Sequence, residues 1–184
     1  MKAVLMSINP NWCSLIANGV KTIEVRKNKP KLETPFKVYI YCTVGTGGID
    51  DRIVMRRNHC GKVIGEFVCD EIITYQYDEC IGYPIPEGSP VFLQIRMSLG
   101  ALIAYGKGKD LYGWHISNLE IYDEPRALRE VRRFCDGNCQ SCQSAAWQKT
   151  GWAYEPRIVG CKPITRPPQS WCYVDVSEGE CGDE

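Results

Sequence analysis

Surplus charge is what this sequence most conspicuously lacks. Its 184 residues balance 22 lysines and arginines against 22 aspartates and glutamates, so composition builds in no global attraction to nucleic acid. Long apolar runs are missing too. No stretch approaches the roughly 18 residues that a membrane-spanning helix needs, and the opening MKAVLMSINPNW turns polar too soon for a secretory signal. The chain is therefore expected to be cytoplasmic. Internal repeats and low-complexity linkers are absent, and the length suits one domain with an ordinary core and an insertion or two. Histidine is scarce, with only His59 and His115.

Cysteine, by contrast, is abundant and odd in number, at eleven. In a reducing compartment such residues are buried thiols or metal ligands sooner than disulfides. Charge is balanced overall but unevenly placed. Lys21 to Lys31 holds five basic residues against the single acid Glu24, whereas Asp175 to Glu184 holds five acids and no base. The first leaves room for a local basic patch, and the second reads as a frayed acidic end over residues 177–184.

Read in order, KAVLMSI (Lys2 to Ile8) is an opening strand and NPNWCSLIANG a capped helix. Asn9 suits the N-cap, Pro10 the first helical position and Gly19 the left-handed C-terminal position. Trp12, Leu15 and Ile16 share one helical face, which is expected to be core. TIEVR returns as a strand, with Ile23 and Val25 on one side and Thr22, Glu24 and Arg26 on the other. FKVYIYCT (Phe36 to Thr43) is a strong strand, and Ile49 to Arg57 suits a short helix with Arg52, Arg56 and Arg57 outside. GKVIGEFVCDEIITYQYD suggests one long or bent strand with a bulge at Gly65. Val91 to Tyr105 reads as a helix, GWHISNLEIYD as a strand, and a short helix follows to Phe134. Within an insertion over residues 129–168, Cys135 to Pro168 lacks periodicity, and PITRPPQSW is a stiff connector carrying Arg166. SWCYVDV supplies a closing strand, placed at 169–176. Strands of mixed length with short helices predict a compact α+β, barrel-like domain.

The charged strand has two readings. Lys21, Glu24 and Arg26 either decorate a solvated face with weak ion pairs, each worth well under about 1 kcal/mol, or line a site. In a site, Lys21 and Arg26 can hold a phosphate while Glu24 accepts from a base or moves a proton. Lysine acts as nucleophile or base only when burial or a nearby cation lowers its pKa. Glu24 opposes that lowering and Arg26 favours it.

In this setting NGVKTIEVR, following INPNWCSLIA, resembles the Gly-x-Lys-x-x-Glu-x-Arg signature of the ASCH (activating signal cointegrator homology) family, a branch of the PUA-like β-barrels. FKVYIYCT, GKVIGEF and the Trp-x-Ile strand of LYGWHISNLEIYDEP extend the resemblance over residues 1–128, and PITRPPQSWCYV carries it to the last strand. The resemblance implies a PUA-like mixed β-barrel with short peripheral helices, whose cleft takes RNA or a nucleotide-like ligand between Lys21, Glu24 and Arg26. Some small relatives look like amidohydrolases of an N4-acylated cytidine that use a lysine, a threonine and a glutamate. Lys21 matches that lysine, but Glu24 stands at the threonine's position. Glu66, Glu79 and Glu87 are the acids from which the glutamate would come. Lys21 and Glu24 are thus the catalytic candidates of a hydrolase reading. A third reading keeps the barrel as a scaffold for protein contacts made by the insertion.

Two further groups invite a role. Trp114 is a candidate stacking surface for a base, with His115 or Ser117 as alternative polar contacts, since successive residues of a strand face opposite ways. Against this, His115 also reads as an ordinary satisfied side chain, and Trp12 as core. His59 and Cys60 sit in a loop without a second catalytic signal. In FCDGNCQSCQ, Cys135, Cys139 and Cys142 have CxxxCxxC spacing, and Cys161 follows after eighteen residues. Four thiolates from two loops suit a structural Zn²⁺ that would organise the insertion. Incidental thiols are the plainer alternative, and Cys172 is a rival fourth ligand. The same spacing serves iron–sulfur clusters of radical enzymes, but the chain is too short for their barrel.

Overall fold

A computed structural model describes residues 1–44, 59–135 and 162–176. The expected helix at Ile49 to Arg57, the acidic end and three of the four proposed zinc ligands (Cys139, Cys142 and Cys161) lie outside those residues. Among the described residues, eight strands form two sheets. The elements run β1 (Lys2–Ile8), α1 (Pro10–Ala17), β2 (Ile23–Arg26), β3 (Phe36–Cys42), β4 (Lys62–Cys69), β5 (Ile72–Tyr75), α2 (Val91–Ile95), α3 (Leu99–Gly106), β6 (Leu111–His115), β7 (Ser117–Ala127) and β8 (Trp171–Asp175).

The larger sheet has the order β7-β4-β3-β1-β8 and the smaller β2-β6-β5. β1 is central and pairs in parallel with β3 and antiparallel with β8. The expectation of a closed barrel is thereby corrected: the fold is α+β, but its sheets do not join into one barrel. The chain changes sheets between β4 and β5 at Asp70–Glu71, and between β6 and β7 at Ile116. Each of these expected single strands is thus two. At the first change His115 Nδ1 and Asp70 Oδ1 lie 2.7 Å apart, and just after the second Asn118 has φ +46°.

The expected helix from Val91 to Tyr105 is likewise two helices. Arg96 takes a left-handed conformation, and Ser98 Oγ accepts the Ala101 N–H as a new N-cap. The helix expected before Phe134 is a single 3₁₀ turn at Leu128–Glu130. Beyond it, Arg132 bridges to Pro163 and Arg133 to Val174, so the two described ends of the 129–168 segment pair with each other and with β8.

Three apolar clusters explain the layering. Val4, Met6, Ile8, Val38, Ile40, Ile64 and Phe67 of the larger sheet meet Cys13 and Ile16 of α1 and Trp114 of the smaller sheet. On the far side of the smaller sheet, Ile23, Val25, Tyr75 and Leu111 pack under Ile95 and Leu102 of α2 and α3. Ala3, Leu5, Val63 and Val174 bury the outer face of the larger sheet against Ile164. β1 is covered on both faces, which is why its apolar run is unbroken by polar alternation. Cys13, Cys42 and Cys69 behave as small core hydrophobes. Among the described residues, no helix is long and apolar enough to cross a membrane.

Candidate functional site

Local sequence places the first candidate side chain. Asn9 Oδ1 accepts the Asn11 N–H, Pro10 opens α1, and Gly19 at φ +67° reverses the chain after Asn18. Val20 and Lys21 then return their N–H groups to the Leu15 carbonyl at 2.9 and 3.0 Å. Lys21 thereby leaves the helix end just ahead of β2. The end of α2 closes over this turn: Thr22 N–H donates to Gln94 O and Arg96 Nε to Val20 O.

Every residue of β2 is buried, so its polar side is not a solvated face. Lys21, Glu24 and Arg26 are only 2%, 5% and 7% exposed, and they converge. Glu24 lies between the cations, with Oε1 3.0 Å from Arg26 Nη2 and Oε2 3.4 Å from Lys21 Nζ. Lys21 Nζ also donates to the Ile95 carbonyl at 2.6 Å, and Arg26 Nη2 to the Ser7 carbonyl of β1 at 2.7 Å. The cluster is therefore held from three directions, by α2, by β1 and by its own strand.

Two features set the arrangement apart from a simple ion pair. Two cations share one carboxylate, so the fully ionised group carries a formal charge of +1 in a buried place, which is costly unless compensated. In addition, Arg26 Nε has no hydrogen-bond partner, and Glu24 Oε2 is met by the 3.4 Å ion pair to Lys21 alone. Burial pulls the Lys21 pKa down, Glu24 resists, and Arg26 adds a smaller lowering. Desolvation wins over the carboxylate, which the order of residues along the strand does not reveal.

The aromatic surroundings differ from the sequence expectation. Trp114 lies directly across the ladder from Glu24, but it is fully buried against Phe36 and Trp171, with ring centroids 5.6 and 5.9 Å away. A wholly buried ring presents no face for a base, so Trp114 sits in the core. Trp12, expected in the core, packs against it half-buried, with its ring 4.9 Å from Lys21 Nζ. α1 instead buries Cys13, Ser14 and Ile16. Sequence reading missed Tyr105 of α3: burial raises its pKa, Arg26 opposes and Glu24 reinforces the rise, so its phenol lies within electrostatic reach of the cluster. Only the packing of α3 brings it there. Tyr112, opposite Arg26 on β6, is also half-buried. A period-two reading back from Trp114 would have found it.

Other candidates fall elsewhere. Glu66 hydrogen-bonds Tyr122 and pairs with Lys37 at 2.6 Å on the outer face of the larger sheet, away from Lys21. Glu79 and Glu87 are exposed in the loop before α2. His115 pairs with Asp70, and Ser117 Oγ donates to Val68 O at 2.8 Å. His59 and Cys60 precede β4, with Cys60 packed against the inner core. Cys135 is half-buried beyond the 3₁₀ turn, and Cys172 lies on β8 opposite Leu5. Among the described residues no three histidines, cysteines or acids form a metal-binding group.

No protein-family model matches the sequence, and no curated protein matches it. Solved structures do match. The chain is similar to ASCH from Zymomonas mobilis, with a TM-score of 0.53 at 15% identity over 95% of this chain and 88% of that one. It is also similar to a serine-to-alanine variant of that protein (TM-score 0.52, 14% identity, 95% and 89% covered). A tyrosine-to-phenylalanine variant gives 0.52 at 15% identity, with 96% and 92% covered. The chain thus has the fold of these ASCH structures, an α+β architecture, as the resemblance of NGVKTIEVR implies. At this identity the likeness concerns the fold.

Proposed function

We propose that this protein is an ASCH-type binding module that takes RNA or a nucleotide at Lys21, Glu24 and Arg26. One observation carries the reading: in a buried cluster of formal charge +1, Arg26 Nε is a donor without a hydrogen-bond partner, and Glu24 Oε2 is met by the 3.4 Å ion pair to Lys21 alone. A buried unmet donor costs about 1–3 kcal/mol, and a donor and a carboxylate in one cluster suit the polar edge of a nucleobase. A carboxylate accepting from the cytosine amino group is one such pairing. The surplus positive charge suits the accompanying phosphate. Both atoms are covered, so entry of a base has to shift a side chain above them. Single-stranded RNA binding should weaken with salt and drop sharply for Lys21→Ala or Arg26→Ala variants that still melt cooperatively. Unchanged affinity in both would remove the site.

A second reading, hydrolysis of an N4-acylated cytidine or similar nucleoside, is favoured by the lowered Lys21 pKa, since a neutral amine can act as base or nucleophile. The placement of Glu66 across the sheet weighs against it. Turnover abolished by Lys21→Ala would establish it, and no product from a panel of acylated nucleosides would end it. The proposal further assigns Cys135, Cys139, Cys142 and Cys161 to a structural Zn²⁺. Sub-stoichiometric metal in protein purified without chelator, with thiols intact, would exclude that assignment.

A further inference from the structure

The basic run that leaves the buried cluster is laid across a row of tyrosines. Lys27, Lys29 and Lys31 are exposed. Lys27 Nζ lies 4.9 Å from the ring centroid of Tyr105 on α3, and Lys29 Nζ lies 5.3 Å from that of Tyr112 on β6. At the next alternate residue, the Lys31 N–H donates to the Tyr173 hydroxyl of β8 at 2.7 Å. The Tyr173 ring is in turn covered by Lys2 Nζ at 3.9 Å. All three rings are half-buried: anchored, yet with surface to spare. Three separate elements thus bring a tyrosine to alternate positions of one five-residue run.

This row joins the cluster directly. Tyr112 is the cross-strand neighbour of Arg26, so both side chains lie on the same side of the smaller sheet. Tyr105 is within electrostatic reach of Arg26 and Glu24, as described above. Tyr112 and Tyr173 pack with the inner core and Tyr105 with the cluster on the far side of the smaller sheet, so the two lysine-capped rings lie on either side of that sheet, whose edge strand is β2.

We propose that this row is a track for single-stranded RNA, continuing from the base held at Lys21, Glu24 and Arg26. Bases stack on Tyr105 and Tyr112, and the displaced ammonium groups of Lys27 and Lys29 move onto the backbone phosphates. The inference rests on the reading that the cluster takes a base, and it adds that the ligand is an oligonucleotide instead of a lone nucleotide. A cation resting on an exposed ring is held more weakly than a base stacked there, so the exchange runs toward the bound state. Duplex RNA keeps its bases within its own stack and cannot use the rings. An acidic peptide would engage the lysines and leave the rings unused.

The test compares a nucleoside monophosphate with a short single-stranded RNA by titration. The oligonucleotide should bind much more tightly to the native chain. In Tyr105→Leu with Tyr112→Leu, the ratio of oligonucleotide to mononucleotide affinity should fall on the order of a hundredfold, about tenfold for each ring. Phenylalanine at both positions should preserve it. Lys27→Gln with Lys29→Gln should reduce the salt slope by about 0.7 for each lysine. An unchanged ratio in the leucine variant, with mononucleotide binding still dependent on Lys21 and Arg26, would overturn the track and spare the cluster. Absence of mononucleotide binding to the native chain would strike the cluster reading itself. Equal binding of duplex RNA or polyglutamate would also overturn the track. Should the leucine variant fail to fold, ring-proton shifts of Tyr105 and Tyr112, assigned through the phenylalanine variants, decide: no upfield movement on adding the oligonucleotide refutes stacking.

Discussion

Glu24 and Trp114 are paired across the β2–β6 ladder, so a carboxylate and a fully buried indole share one side of the smaller sheet. Apolar residues of both sheets meet on that side. The carboxylate is therefore held in a poorly hydrated layer, where its two cations and any ligand polar group act more strongly than they would at a surface.

Removing the carboxylate alone should be worse than removing the whole cluster. Glu24→Ala leaves Lys21 and Arg26 as buried cations without their counterion, and the loss in denaturant unfolding free energy should be about 3–5 kcal/mol. The triple variant Lys21→Met, Glu24→Leu, Arg26→Met should recover most of it. A triple variant as unstable as the single one would place the cost in packing.

Lys21 should shape the alkaline limb of stability. Burial holds its folded pKa below the ordinary value of 10.5, so between the two values the unfolded chain binds more protons. Stability should then rise with pH across that window, because deprotonation relieves the buried charge. Lys21→Met should flatten this rise in a series of unfolding midpoints; an identical series would show that Lys21 contributes no such linkage.

Glu66 should act on the acid limb, where stability likewise rises with pH. Although burial pushes it up, hydrogen bonds from Lys37 and Tyr122 prevail and hold its pKa below the usual carboxylate range. The stability this confers is present above the ordinary carboxylate pKa and is lost as pH falls through the folded one. Glu66→Gln should lose stability at neutral pH and narrow the gap to the native protein on acidification. A constant gap would contradict the linkage.

Gly65 should tolerate no side chain. It lies between register shifts in both ladders of β4, and a Cβ there would run into the Glu120 carbonyl oxygen and the Ile121 backbone. Because the obstruction is backbone, Gly65→Ala should cost about 1–3 kcal/mol, read from the denaturant midpoint. A neutral effect would show that β7 yields.

What was legible in the sequence was mostly local. Asn9, Pro10 and Gly19 act within one or two turns of the chain, so their identities suffice to place α1 and the turn that delivers Lys21. The bulge at Gly65 was readable for the same reason. The splits at Asp70–Glu71, at Arg96 and at Ile116 were not, since each depends on which sheet or helix layer the next segment meets. Trp114 departs from its expected role on similar grounds: its exposure is decided by neighbours from distant parts of the chain, Phe36 and Trp171.

The sequence by itself determined which charges follow Gly19, their alternation along β2, and the basic run beyond them, because these follow from turn chemistry and the two-residue period of a strand. Only the tertiary structure decided that Lys21, Glu24 and Arg26 are buried, that Arg26 is tied to the Ser7 carbonyl, and that Tyr105, Tyr112 and Tyr173 lie under Lys27 to Lys31. Burial and encounter are long-range properties. They are set when the smaller sheet closes on the larger one and α2 and α3 pack over it, which no single stretch of the chain encodes.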